Sequence, residues 1–205
     1  MNRSLRSGML LTLLLMASGA GAAPPVTSPA AQEAAAVFAG GCFWCIEADF
    51  EKLPGVLDVE SGYTGGHVPD PDYEQVSAGG TGHAEAVRVR YDPARVSYAQ
   101  LLDYFWRHID PTVKDRQFCD AGNQYRSAIF PATDEERRAA EGSRDALVAS
   151  GRFAQVFTTI EPAAAFHPAE DYHQDYYRKN PLRYAYYRSS CGRDARVAEL
   201  WGNAH

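Results

Sequence analysis

Apolar and polar residues alternate with two different periods along this chain, and the switches between them mark its elements. Residues 34–39, "AAAVFA", form an apolar run ending at Gly40-Gly41, which predicts a buried strand entering a turn. From Cys42 onward, Phe43, Ile46, Phe50 and Leu53 recur at helical spacing until Pro54-Gly55 stops them. Residues 56–63 alternate as a strand does. Residues 64–83, crowded with Gly, Pro and Asp, read as one long polar loop; a loop of that length is functional or disordered. Residues 84–91, "AEAVRVRY", alternate again and predict a strand. Ser97 caps a helix whose stripe is Tyr98, Leu101, Leu102, Phe105, Trp106 and Ile109, and Asp110-Pro111 ends it. A second long loop carries Cys119-Asp120 into a strand at 124–130. A polar-faced helix over 134–150 stops at Gly151, and a strand over 154–162 follows. A helix over 168–180 begins at Pro168 and ends before Pro181. The stretch 184–202 reads as a short strand or coil and a closing helix. This order predicts an α+β two-layer sandwich: helices packed on a mixed or antiparallel sheet, in one domain without internal repeats.

The N-terminus departs from that pattern. Arg3 and Arg6 precede an apolar run over 9–16, and small residues end in Ala20-Gly21-Ala22. Residues 1–23 read as a secretory signal peptide, cleaved close to Ala22 or Ala23. The run is too short to span a bilayer, so no stable membrane insertion is expected. Residues 24–33 read as a flexible lead, and 34–205 as the catalytic domain. The protein is expected to be exported, periplasmic or secreted. With 205 residues, 45% hydrophobic and 22% charged, the composition is that of a globular domain. A formal charge of −6 and the lack of a Lys/Arg cluster argue against nucleic acid as a partner class.

Export changes the meaning of Cys42, Cys45, Cys119 and Cys191, the four cysteines of the chain. In an oxidising compartment they could be two structural disulfides of a secreted binding or scaffold domain. A domain of this size builds a core without such staples, so reactive thiols are the second reading. "GGCFWCIEADF" favours it. Cys42 stands at a helix start, where free N–H groups and the helix dipole lower a thiol's pKa. Phe43 and Trp44 occupy the place where a thioredoxin-type C-x-x-C centre has Gly-Pro; they form an apolar pocket suited to a methyl group or thioether. Zinc would need a second cysteine pair, and Cys119 and Cys191 stand alone, so no metal is expected. His83, His167 and His173 suggest a metal or Cys/His hydrolase. Glu170 and His173 supply one E-x-x-H only, and nothing in the sequence marks an oxyanion hole. His83 is expected to fix the loop before Glu85, and "AEDYHQ" to brace the site.

"GGCFWCIEADF", "GYTGGHVPDPDYEQVSAGGTGHAEAVRVRYDP", "LLDYFWRHIDPT", "DAGNQYRSAIF" and "AEDYHQDYYRKNP" together resemble the peptide-methionine (S)-S-oxide reductase family, also called methionine sulfoxide reductase A, from about Val37 to Pro181. The resemblance implies a two-layer α+β sandwich and an enzyme that reduces methionine S-sulfoxide, free or protein-bound. It implies Cys42 as the nucleophile that becomes a sulfenic acid, and Phe43 and Trp44 as holders of the substrate methyl. It implies Glu85 as proton donor to the sulfoxide oxygen, Tyr73 and Tyr125 as hydroxyls polarising that oxygen, and Asp120 as a further carboxylate. A sulfoxide oxygen leaves only when protonated or strongly hydrogen-bonded, so the chemistry asks for such a set.

The resemblance also implies that a second cysteine closes a disulfide with Cys42, which an external thioredoxin-like dithiol then reduces; no bound cofactor is implied. Cys191 ranks first for that role by position, with Cys45 and Cys119 as alternatives. Here the chain departs from the family: the usual recycling cysteine lies in a glycine-rich tail, whereas Cys191 is in "SSCGRDARVAELWG". The expected substrates are oxidised exported proteins and the expected state is a monomer.

Overall fold

The computed structural model describes residues 33–202 together with Met1, so the signal-peptide reading lies outside the described residues. In chain order the elements are β1 (Ala34–Gly40), α1 (Phe43–Phe50), β2 (Val56–Thr64), α2 (Tyr73–Ala78), β3 (Ala84–Tyr91), α3 (Tyr98–Arg107), β4 (Arg116–Gln117), β5 (Asp120–Ala121), β6 (Ser127–Phe130), α4 (Asp134–Ala149), β7 (Thr159–Ile160), β8 (His167–Pro168), α5 (Tyr176–Lys179), α6 (Pro181–Ser190) and α7 (Arg193–Trp201). Six strands form one mixed sheet in the order β7-β6-β1-β3-β2-β8. All its neighbours are antiparallel except β6 and β7. This is the α+β architecture expected from the sequence.

The period of two in β1 and β3 sorts residues to the two faces. Phe38 faces the helices and stacks on Phe50 of α1 and Phe105 of α3, each with centroids 5.1 Å apart. Val87 and Val89 join that cluster with Leu101 and Ile129. Ala39, Ala84 and Ala86 belong to a second cluster, against which Phe166 packs. Glu85 therefore falls in register with Val87 and Val89: a carboxylate where the strand otherwise presents core residues to the helices.

Four expected elements need correction. The loop over 64–83 contains α2. A capping box starts that helix, with Asp72 Oδ1 accepting from Gln75 N at 2.8 Å and Gln75 Oε1 from Asp72 N at 3.3 Å. The strand over 154–162 contracts to Thr159–Ile160. The helix over 168–180 contracts to Tyr176–Lys179, while Pro168 instead pairs with Gly62 in β8. Pro181 starts a helix rather than stopping one: it fills the first turn of α6, where the missing N–H costs nothing, and residues 184–190 are helical.

Close approach explains Gly62. A Cβ there would lie 2.5 Å from both the His167 carbonyl oxygen and the Phe166 ring. Gly62→Ala is expected to cost about 1–3 kcal/mol, because β8 or Phe166 must move off the sheet. Chemical denaturation measures it, and an unchanged midpoint would refute the packing argument.

Candidate active site

The turn from β1 into α1 fixes the first functional side chain. Gly41 takes φ 84°, the left-handed region that favours glycine, and a Cβ there would stand 2.5 Å from Gln117 Cβ. Gln117 is fully buried and clamps its loop by accepting from Asp110 N at 2.9 Å and donating to Asp110 O at 2.7 Å. Cys42 is then the N-cap of α1, with non-helical φ −50° and ψ 119°. The Phe43 amide, one of the donors a helix start leaves unpaired, donates to Glu85 Oε2 at 3.0 Å. Strand β3 and helix α1 are thereby tied at the thiol.

Around this tie the fold closes a cavity of about 70 Å³ lined by Cys42, Phe43, Trp44, Tyr73, Glu85, Asp120, Tyr125 and Tyr187. That is about the liquid volume of two waters. The seven residues the sequence nominated for catalysis and substrate binding all meet there. Tyr187 was not nominated. Its hydroxyl donates to Asp120 Oδ2 at 2.5 Å and also hydrogen-bonds the Cys42 thiol. It lies four residues before Cys191 and so on the same helical face. That signal was hidden by reading α6 as strand or coil.

Burial governs the electrostatics. Glu85 is 2% exposed, and burial pushes its carboxyl up to about 8, helped by the charges of Asp120 and Cys45 against the Phe43 amide bond. It is a neutral acid at pH 7. Burial likewise raises Asp120, lifts Tyr73 to about 12 and raises Tyr125, so both phenols keep their protons as donors.

The segment "AEDYHQ" braces the walls. Glu170 accepts from Tyr63 Oη and from the Tyr73 amide, each at 2.9 Å. Trp44 Nε1 donates to His173 Nδ1 at 2.9 Å, and Trp44 stacks flat on Tyr176 with centroids 3.7 Å apart. Burial lowers the His173 pKa, consistent with a neutral ring accepting at Nδ1. His83 ties the preceding loop: its Nδ1 accepts from Gly66 N at 3.2 Å and its Nε2 bonds Val68 O at 2.8 Å.

The family model described as "Peptide methionine sulfoxide reductase" matches residues 34–205. The chain belongs to that family. It is an oxidoreductase that reduces methionine sulfoxide. It is 50% identical over 170 residues to peptide methionine sulfoxide reductase MsrA of Limosilactobacillus reuteri, spanning 82% of this chain and 97% of the relative. Among solved structures it is similar to Mxr1 from Saccharomyces cerevisiae in reduced form. There the TM-score is 0.69 and the identity 33%, over 75% of this chain and 88% of that one. Mxr1 has also been solved in complex with Trx2, where the likeness is 23% in identity with a TM-score of 0.51, over 74% and 89% of the two chains.

For a reductase of this family, the state of the thiols matters most. Cys119 and Cys191 are joined in a disulfide with Cα atoms 4.9 Å apart, while Cys42 and Cys45 are free and buried. The pair expected from the sequence, Cys42 with Cys191, is therefore not the one the structure holds: the end of α6 sets Cys191 beside Cys119. Among the described residues, one group of donor atoms is close enough for a metal, Cys119, Asp120 and Cys191, and its two sulfurs are bonded to each other.

The helix-start expectation for Cys42 also fails. Burial drives its thiol well above the ordinary value, and the Cys45 and Glu85 charges push the same way. Cys45 instead is lowered to about 7, by the hydrogen bond with Cys42 and the nearby Arg193 and Arg188 guanidinium groups, against the pull of burial.

Proposed function

We propose that this reductase acts on the S epimer of methionine sulfoxide, free and within proteins, with Cys42 as nucleophile and Glu85 as proton donor. The convergence of a thiol, a neutral buried carboxyl, two phenols and two aromatics on one small cavity carries the reading. The Cys42 thiol proton leaves to solvent and its sulfur bonds the substrate sulfur, while the oxygen takes a proton from Glu85 and hydrogen bonds from Tyr73 and Tyr125. The hydroxyl group then passes to Cys42: the substrate S–O bond and the transient Cys42–substrate bond break, a Cys42 S–O bond forms, and methionine leaves with Cys42 as a sulfenic acid. Phe43 and Trp44 face the substrate methyl, and Tyr187 and Asp120 hold the Cys42 sulfur in place.

The sulfenic acid is discharged through an intramolecular disulfide, and Cys191 is where the oxidising equivalents emerge, bonded to exposed Cys119. An external thioredoxin-like dithiol collects them; the Trx2 complex of the yeast relative supports a partner of that kind. The leader-like first 23 residues support export, with oxidised exported proteins as substrates. Among the described residues no helix is long and apolar enough to cross a membrane.

The test is turnover of the two epimers of N-acetylated methionine sulfoxide with dithiothreitol. The S epimer should be consumed and the R epimer left. Consumption of R, or of neither, overturns the reading.

A further inference from the structure

The active cavity is smaller than its substrate. Its volume of about 70 Å³ gives room for a sulfoxide and its methyl, not for the chain that carries them. Methionine within a protein is joined to that chain on both sides, so the flanking residues lie against the surface where the cavity opens. Two walls of the cavity, Trp44 and Tyr187, are also walls of a groove of about 370 Å³. The groove begins at the side chains where the cavity ends, and a polypeptide whose sulfoxide is seated inside runs into it. The Cys119–Cys191 disulfide lines the groove too.

Helix α6 supplies most of this groove. Arg183, Tyr186, Tyr187 and Ser190 recur at three- and four-residue spacing and so share one face of the helix. Tyr186 is 77% exposed, an open aromatic surface beside a closed cavity. Such a ring gives stacking area to an incoming apolar side chain. Arg183 is exposed and has neither a hydrogen bond nor an ion pair among the described residues. Arg188, Arg193 and Arg196, the other arginines of α6 and α7, each meet a carboxylate. Four helical residues separate Arg183 from Tyr187, about 6 Å along the axis. That is the reach of about two extended residues. The charge on the Tyr73 side of the cavity is the opposite one: Asp72 caps α2 and Glu74 stands in its first turn. An acidic flank gains on the α6 side and loses on the α2 side.

We propose that the α6 groove binds the polypeptide flanking the methionine sulfoxide and selects flanks that carry a carboxylate about two residues from it, paired with Arg183, and an apolar side chain laid on Tyr186. The inference rests on the sulfoxide reductase reading above and narrows its substrate class. Arg183 and Tyr186 touch no reacting atom, so they set which sulfoxides are captured and leave the chemical step to the cavity.

The test uses a heptapeptide with methionine S-sulfoxide at its centre, aspartate two positions away on each side, phenylalanine beyond and neutral blocked ends. Its counterparts carry asparagine for aspartate, or glycine for phenylalanine. Dithiothreitol is the reductant, at low ionic strength. The aspartate peptide should exceed the asparagine peptide in kcat/KM by about 2–5-fold, the range of an exposed ion pair. The difference should lie in KM and shrink with added salt. Arg183→Gln should abolish it and Arg183→Glu should invert it. Tyr186→Ala should lower kcat/KM for the phenylalanine peptide about 2–10-fold and spare the glycine peptide. N-acetylmethionine S-sulfoxide N-methylamide has no flanking side chain, and its turnover shows that each variant is folded. Equal kcat/KM for the aspartate and asparagine peptides, or a preference that survives both Arg183 variants, overturns the proposal. So does a result in which the variants raise only the KM for a thioredoxin used as reductant, for the groove then serves the reductant. Failure of the parent enzyme to turn over the N-methylamide removes the reductase reading instead.

Discussion

Replacing Glu85 with glutamine is expected to lower the rate of the first turnover by about 10²–10⁴-fold, the usual loss when a positioned acid is removed. Glutamine keeps the shape and can still accept from the Phe43 amide, which donates to Glu85 at 3.0 Å, but it has no proton to transfer. The pH dependence carries the sign. The Glu85 carboxyl is raised from an ordinary 4.5 to about 8, so the acid form is present through neutrality and is lost as pH rises through about 8. The parent rate should fall there, and the variant should show no inflection from this group. Stability runs the other way. A carboxyl raised by burial leaves the fold at full stability below about 4.5 and destabilises it progressively as pH approaches about 8. Glu85→Gln should therefore grow more stable relative to the parent across that window while it is catalytically poor. Rapid-quench product formation and urea denaturation at matched pH values measure the two. A variant whose rate stays within a few-fold of the parent would remove Glu85 as the acid.

The second large effect concerns Asp49. This carboxylate, 2% exposed in α1, meets Arg188 of α6 at 3.0 Å and Arg193 of α7 at 3.6 Å. Arg188 retains Asp194, to which its Nε donates at 2.9 Å, but Arg193 has no second carboxylate among its ion pairs. Asp49→Ala leaves a buried guanidinium uncompensated, which costs about 3–5 kcal/mol. Removing the charge on both sides with Asp49→Leu and Arg193→Met should recover most of that loss, because the damage comes from the unpaired charge. Equal instability of the single and double variants would show that the cluster does not hold these helices by charge.

Local rules reached some of these features and not others. Strand β1, strand β3 and helix α3 were legible because each combines a clean period with a marked end, such as the Ser97 cap. Helix α2 has six residues and one buried apolar side chain, Val76, so its period is too short to see; Asp72 and Gln75 were the available signal. Pro181 was read as a stop, although proline is equally at home at a helix start. The cavity residues were legible through motifs whose order along the chain carries the resemblance, not through periodicity. The cysteine pairing was not legible. Cys119 and Cys191 are 72 residues apart, and only the placement of α6 brings them together. Nor was the contest at Cys42: the helix start argues for a thiolate, burial beside Glu85 argues against it, and the depth of the site decides.

The cavity draws its walls from both ends of the domain. Cys42 belongs to the first helix, whereas Tyr187 and the guanidinium groups that face Asp49 come from α6 and α7. A ribosome delivers these parts in sequence. A nascent chain that has emerged through α4 already carries Cys42, Tyr73, Glu85, Asp120 and Tyr125, yet Asp49 has only Lys52 as a cation and Cys119 still lacks Cys191. Synthesis thus leaves the pocket open on one side until α6 has brought Tyr187 to it.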